Sequence, residues 1–281
     1  MRFAAAVCLL AASAVLVAAP QPPSPYASTD PFHRPLDQVL DTLVRDGLVY
    51  YNALKSERGR LDDYVRSLDV SPATYDGWTR EQQMAFWVNA YNAFVLETVI
   101  NHYPIRGRSD LYPSNSIRQI PGAFEKTTWR AAGKRLTLDE IEKTILPEFH
   151  EPRLYLALGR GAVGGGRLRS EAYTAARLAG QLDAIRKEFA TERELMRIDR
   201  DANVISLTPV VSWHEQEFVA AYDRPDGDAA FAARSPIERA IIAFIRPDLL
   251  PLEKQFVTRN QFRVVFHDFD WRLNDLTGGR D

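Results

Sequence analysis

Between Thr79 and Pro104 the chain reads TREQQMAFWVNAYNAFVLETVINHYP, and this segment constrains the fold more than any other. Thr79 and Gln82 have the spacing of a capping box, and Pro104 closes the run. The residues between are apolar on almost every side, so no face is left for solvent and the helix has to be wrapped by the rest of the chain. The expectation is a central buried helix around residues 80–103. Within it Asn89 and Asn92 lie one turn apart. A buried amide without a partner costs about 1 to 3 kcal/mol, so both need partners. Either they tie the helix to the irregular segment 104–130, or they line a ligand pocket together with Tyr91 and His102.

Weaker signals surround this helix. LDQVLDTLVRD (36–46) places Leu36, Val39, Leu40, Leu43 and Val44 on one face, with Gly47 as its stop, and 56–68 repeats the pattern with Leu61, Tyr64, Val65 and Leu68. KRLTLDEIEKTILPEF starts at Thr137, with Glu140 as its N3 residue, and ends at Pro147. TAARLAGQLDAIRKEFA reads as a helix capped by Thr174, HEQEFVAAY as a short one, and SPIERAIIAFI carries Ser235, Pro236 and Glu238 in N-cap, N1 and N3 order. RLYLAL, NVISLTPVV, SIRQI and the alternating QFRVVFHDFD read as strands or strand-like pieces. With 281 residues, 46% of them hydrophobic, the chain can bury a sizeable core. The expected class is α+β: a single, mainly helical domain over 36–281 with a small sheet.

The N-terminus, MRFAAAVCLLAASAVLVAAPQPPSPYASTD, has the layout of an export signal over 1–19, followed by a proline-rich tether over 20–35. Val17 and Ala19 fit the cleavage positions, while Pro20 disfavours that cut, leaving cleavage after Ala18 or retention as an anchor as the alternatives. The location implied is periplasmic or secreted, and the protein is not an integral membrane protein unless the leader is retained. Cys8 is the only cysteine and lies in the leader. A mature chain would then have no disulfide, thiolate nucleophile or thiolate metal ligand. A formal net charge of −2 gives no field for nucleic acid.

Gly159, Gly161 and Gly164 in YLALGRGAVGGGRLRS have G-x-G-x-x-G spacing. The loop lacks the immediate helix start and downstream acid of a dinucleotide fingerprint, and no Gly-Lys-Ser/Thr follows. It reads as a flexible surface loop, in which Arg160, Arg167 and Arg169 could hold an anion through exposed guanidinium groups. The five histidines form no H-E-x-x-H motif, and HDFD, with Asp268 and Asp270 on one strand face, reads as a solvated pair. No metal or cofactor is expected. Ser170, Ser206 and Ser212 lack a nucleophile-elbow context.

Several blocks together, LVYYNALKSERGRLDDYV, EQQMAFWVNAYNAFVLETVINHYP, GKRLTLDEIEKTILPEFHEPRLYLAL, RSEAYTAARLAGQLDAIRKEF and DFDWRLND, resemble the bacterial family labelled domain of unknown function 547. The resemblance implies export, and a loop carrying a histidine at position 155, cysteines at 160 and 165, and two prolines at 166 and 167. This chain instead has Tyr155, Arg160, Gly165, Gly166 and Arg167, and keeps only Leu168 and Arg169 of that pattern. A nearby imidazole would make such a cysteine reactive, and both members are replaced. The reading is therefore an exported protein without thiol catalysis, a pseudoenzyme acting by binding a small molecule or an envelope partner. The alternative is a hydrolase or transferase using His102, Asn89, Asn92 and Arg169 in a retained cleft. The candidate ligand-binding residues are Asn89, Tyr91, Asn92, His102, Arg160 and Arg169.

Overall fold

A computed structural model describes residues 30–224 and 227–278. The leader and most of the tether lie outside the described residues, so the export reading falls there too. The central helix, Arg80–His102, is 23 residues long and opens with the expected capping box of Thr79 and Gln82. From Met84 to Leu96 every side chain is buried, including Trp87, Phe86, Tyr91 and Phe94.

Packed on the helix's N-terminal side in the sequence are Arg34–Leu43, Tyr51–Ser56 and Gly59–Ser67. The first starts two residues earlier than the tether boundary implied, because Pro35 supplies the fixed φ of a first-turn residue. His33 is likewise inside the fold, its Nδ1 2.8 Å from the Tyr64 hydroxyl. Gly47 does not stop this helix. The helix ends at Leu43, and Asp46 and Gly47, with φ of 50° and 82°, turn a two-residue hairpin between Val44–Arg45 and Leu48–Val49.

After the helix the chain runs irregularly to a hairpin, Thr128–Ala131 with Lys134–Thr137. SIRQI is a 3-10 turn, Ile117–Gln119, because the Ser116 hydroxyl caps the Arg118 amide. Thr137 and Glu140 form the expected box, but the helix is a composite of an α turn, a π turn over Ile141–Ile145 and a 3-10 turn over Leu146–Phe149. RLYLAL is not a strand. Pro152 favours helical backbone, and Arg153–Leu156 form a helical turn that buries Leu154, Tyr155 and Leu156. A short apolar run does not distinguish a buried strand from a buried turn.

The C-terminal half contributes the helices Leu178–Thr191, Glu215–Tyr222 and Pro236–Ile245. It also carries a three-stranded sheet in which Val204–Leu207 pairs antiparallel with Met196–Asp199 and parallel with Arg263–Phe266. Thr174 is four residues before the first of these helices and does not cap it. The architecture is α+β and mainly helical, with small two- and three-stranded sheets. No helix among the described residues is long and apolar enough to cross a membrane.

Candidate functional site

The glycine loop is the structural centre of the site, and it is not a flexible surface element. Gly159, Arg160, Gly161, Ala162, Gly164, Gly165 and Gly166 are all buried. The loop carries glycine because other backbone passes too close: a Cβ on Gly166 would lie 1.7 Å from the Leu156 carbonyl oxygen, and one on Gly164 2.6 Å from the Asp270 amide. The loop is bonded from both sides. Val163 and Gly164 amides donate to the carbonyls of Arg272 and Asp270. Asn92 clasps it from the central helix, its Nδ2 donating to the Ala157 carbonyl and its Oδ1 accepting from the Gly159 amide at 2.9 Å. Asn89 makes the same two-way clasp on Tyr173. Both amides therefore hold the segment 157–173 rather than 104–130.

Arg160 stands at the positive φ of 48° and is 1% exposed. Its guanidinium reaches back into the core. One nitrogen donates to the Tyr155 carbonyl at 2.9 Å, and the other to Glu142 Oε1 at 2.6 Å. Glu142 also accepts the Tyr91 hydroxyl, at 3.0 Å, and His214 Nε2, at 2.9 Å. An ionised carboxylate only accepts, so the proton on this bond belongs to His214 Nε2. The His214 ring lies flat on Tyr155, with centroids 3.5 Å apart and planes 7° from parallel.

Burial opposes the charge on Glu142, but Arg160 and His214 outweigh it and hold the carboxyl well below the usual carboxylate range. Tyr91 shifts the other way, since burial and then the Glu142 charge push its hydroxyl up against the opposing pull of Arg160. Glu142 sits on the π turn, a deformation often found at functional sites. Its signal was present in the sequence: Leu138, Glu142 and Leu146 recur at four-residue spacing, placing an acid on the buried face. His214 and Tyr155 carried no comparable local signal.

The remaining candidates do not converge on this centre. His102 is exposed at the end of the central helix and bonds the Thr98 carbonyl. Arg169 lines a separate 590 Å³ groove with Arg167, Gln181 and Glu188, where it is tied to Glu171 and Glu188, each at 3.0 Å. Arg167 is paired with Asp46. The guanidinium groups expected to hold an anion are thus already neutralised. Among the described residues no group of three or more metal-binding side chains is present.

On the solvent side of the same loop lies an aromatic surface that the sequence reading did not single out. Trp213, adjacent to His214, is 47% exposed and sits 5.1 Å from Phe269, which is 4.3 Å from Trp271. The Arg160 guanidinium lies 5.8 Å from the Trp213 ring, joining the buried centre to the surface.

These features define a mainly helical α+β protein whose glycine loop closes over a buried ion cluster. Residues 75–190, which hold the central helix, Glu142 and the whole loop, match the family model described as "Protein of unknown function, DUF547", and over that span the chain resembles this family. No curated protein and no solved structure matches the chain.

Proposed function

We propose that this is an exported protein that binds a ligand or partner and performs no thiol chemistry. The carrying observation is the state of position 160. In place of a nucleophile the loop presents a buried arginine whose charge is paired with Glu142 and whose two terminal nitrogens donate to that carboxylate and to backbone carbonyls, while its Nε has no partner among the described residues. A paired, buried guanidinium cannot act as nucleophile or general base, since its proton is not released at any ordinary pH. The binding surface lies outside this centre, where Trp213 and its neighbours meet solvent.

The test is direct. The mature protein is incubated with a thiol-alkylating probe and with generic ester, amide and phosphoester substrates. The expected result is no label and no turnover. Reproducible turnover, or a reactive thiol in the mature chain, overturns the reading.

A further inference from the structure

We propose that the surface formed by Trp213, Phe269 and Trp271, together with the hollow beside it, is a binding site for a neutral carbohydrate; this rests on the reading of the protein as a binder. The aromatic rings form a rigid set. Trp213 and Trp271 lie 18° from parallel with centroids 6.3 Å apart, and Phe269 packs against both. Arg118 caps Trp271, its guanidinium carbon 4.6 Å from the ring centroid, so the more exposed Trp213 carries the open π surface. Rings already fixed by their neighbours lose little freedom when a ligand covers them.

Phe269 also forms one wall of a 290 Å³ hollow lined by Asp268, Asp270, Arg272, His267 and Arg197. Its two arginines are each paired with an acid, which leaves Asp268 as the one unpaired charge among the described residues that line it. Arg272 is chelated by Asp270 through bonds of 2.9 and 3.0 Å, and Arg197 lies 3.5 Å from Glu194. A single exposed carboxylate, screened by solvent, is a weak lure for a cation and repels a phosphate, which removes nucleotides despite their stacking bases. What remains is a wall of planar acceptors and donors. Asp268 is exposed and has no hydrogen-bond partner among the described residues. A pyranose ring has the matching chemistry: an apolar C–H face for the indole and an edge of hydroxyls for carboxylate and guanidinium groups.

The experiment titrates the full mature chain with short neutral oligosaccharides of glucose and of N-acetylglucosamine, followed by tryptophan fluorescence and calorimetry. Expected are a saturable fluorescence change and a loss of about tenfold or more in affinity for Trp213→Ala, equivalent to about 1.4 kcal/mol. Asp268→Ala should weaken binding by a smaller factor, and Arg169→Ala, in the other groove, should leave it unchanged. Absence of saturable binding overturns the proposal, as does binding that neither Trp213→Ala nor Asp268→Ala affects. Concentration-dependent dimerisation abolished by Trp213→Ala overturns it too, because a second copy would then cover the face. Failure to bind sugar leaves the thiol-free reading standing. Cleavage of the bound oligosaccharide would sink the non-catalytic reading and leave the ligand class intact.

Discussion

The two faces of the glycine loop use similar residues to opposite ends. Inside, Glu142, Arg160, His214 and Tyr91 are bonded to one another in a space without water-facing groups. Outside, Asp268 and the Trp213 ring face solvent, the acid without a partner among the described residues. Charge and aromaticity alone therefore do not mark a binding site, and neither does a lone unpaired atom sealed in the core, such as Arg160 Nε; unspent capacity within reach of solvent does. A group that has satisfied its bonds within the protein contributes to the fold and has little left for a ligand.

The comparison breaks most readily at Arg160. Arg160→Met leaves Glu142 ionised and half-abandoned in the core, and should lower stability by about 3 to 5 kcal/mol in denaturant unfolding. Adding Glu142→Gln should return part of that loss, because the stranded charge is gone. A single substitution costing under about 1 kcal/mol would mean that the cluster is not the anchor described.

A second interior group sharpens the contrast by staying neutral where Glu142 stays charged. Burial pushes His33 down to about 4 against the opposing pull of Asp30. Its depressed value means that the unfolded chain takes up a proton that the native state refuses. Stability from this group is complete above about pH 6.5 and falls away as the pH drops toward 4, by about 3 kcal/mol at most. Glu97 runs the other way, since burial and Asp62 raise it to about 7, and its contribution is lost as pH rises from about 4.5 through 7. The His33 effect is thus read as the difference between wild type and His33→Gln in melting experiments across pH 4 to 6.5. Parallel curves would remove the assignment.

The smallest effect belongs to the outer face. Trp213→Ala should change stability far less than the Arg160 variant, within about 1 kcal/mol, despite deleting the larger side chain, because nearly half of Trp213 is already exposed. A fall in melting temperature comparable to that of the Arg160 variant would make Trp213 part of the core rather than a binding surface.

Much of the fold was legible because its signals are local. The capping boxes at Thr79, Thr137 and Ser235 lie within four residues of sequence and recur in the structure as expected. The all-round apolarity of 84–96 forced burial whatever surrounded it. Legibility failed where one short pattern served two backbones, as in RLYLAL, and where glycine spacing resembled a surface loop although the backbone packing around it is close. The site was read in fragments. Tyr91, Arg160 and the two asparagines were noticed, but His102 and Arg169 belong elsewhere, and Glu142, His214 and Trp213 were absent from the candidate set.

By itself the sequence determined the helix starts at Thr79, Thr137 and Ser235, the central core element, the lack of any cysteine beyond Cys8 and the need of Asn89 and Asn92 for partners. Only the tertiary structure decided what those partners are. Asn89 meets Tyr173 across 84 residues, His214 meets Glu142 across 72, and the loop amide of Gly159 meets Asn92 across 67. Capping and periodicity act over a turn or two of helix, whereas a buried polar group is satisfied by whichever segment the packed core brings against it.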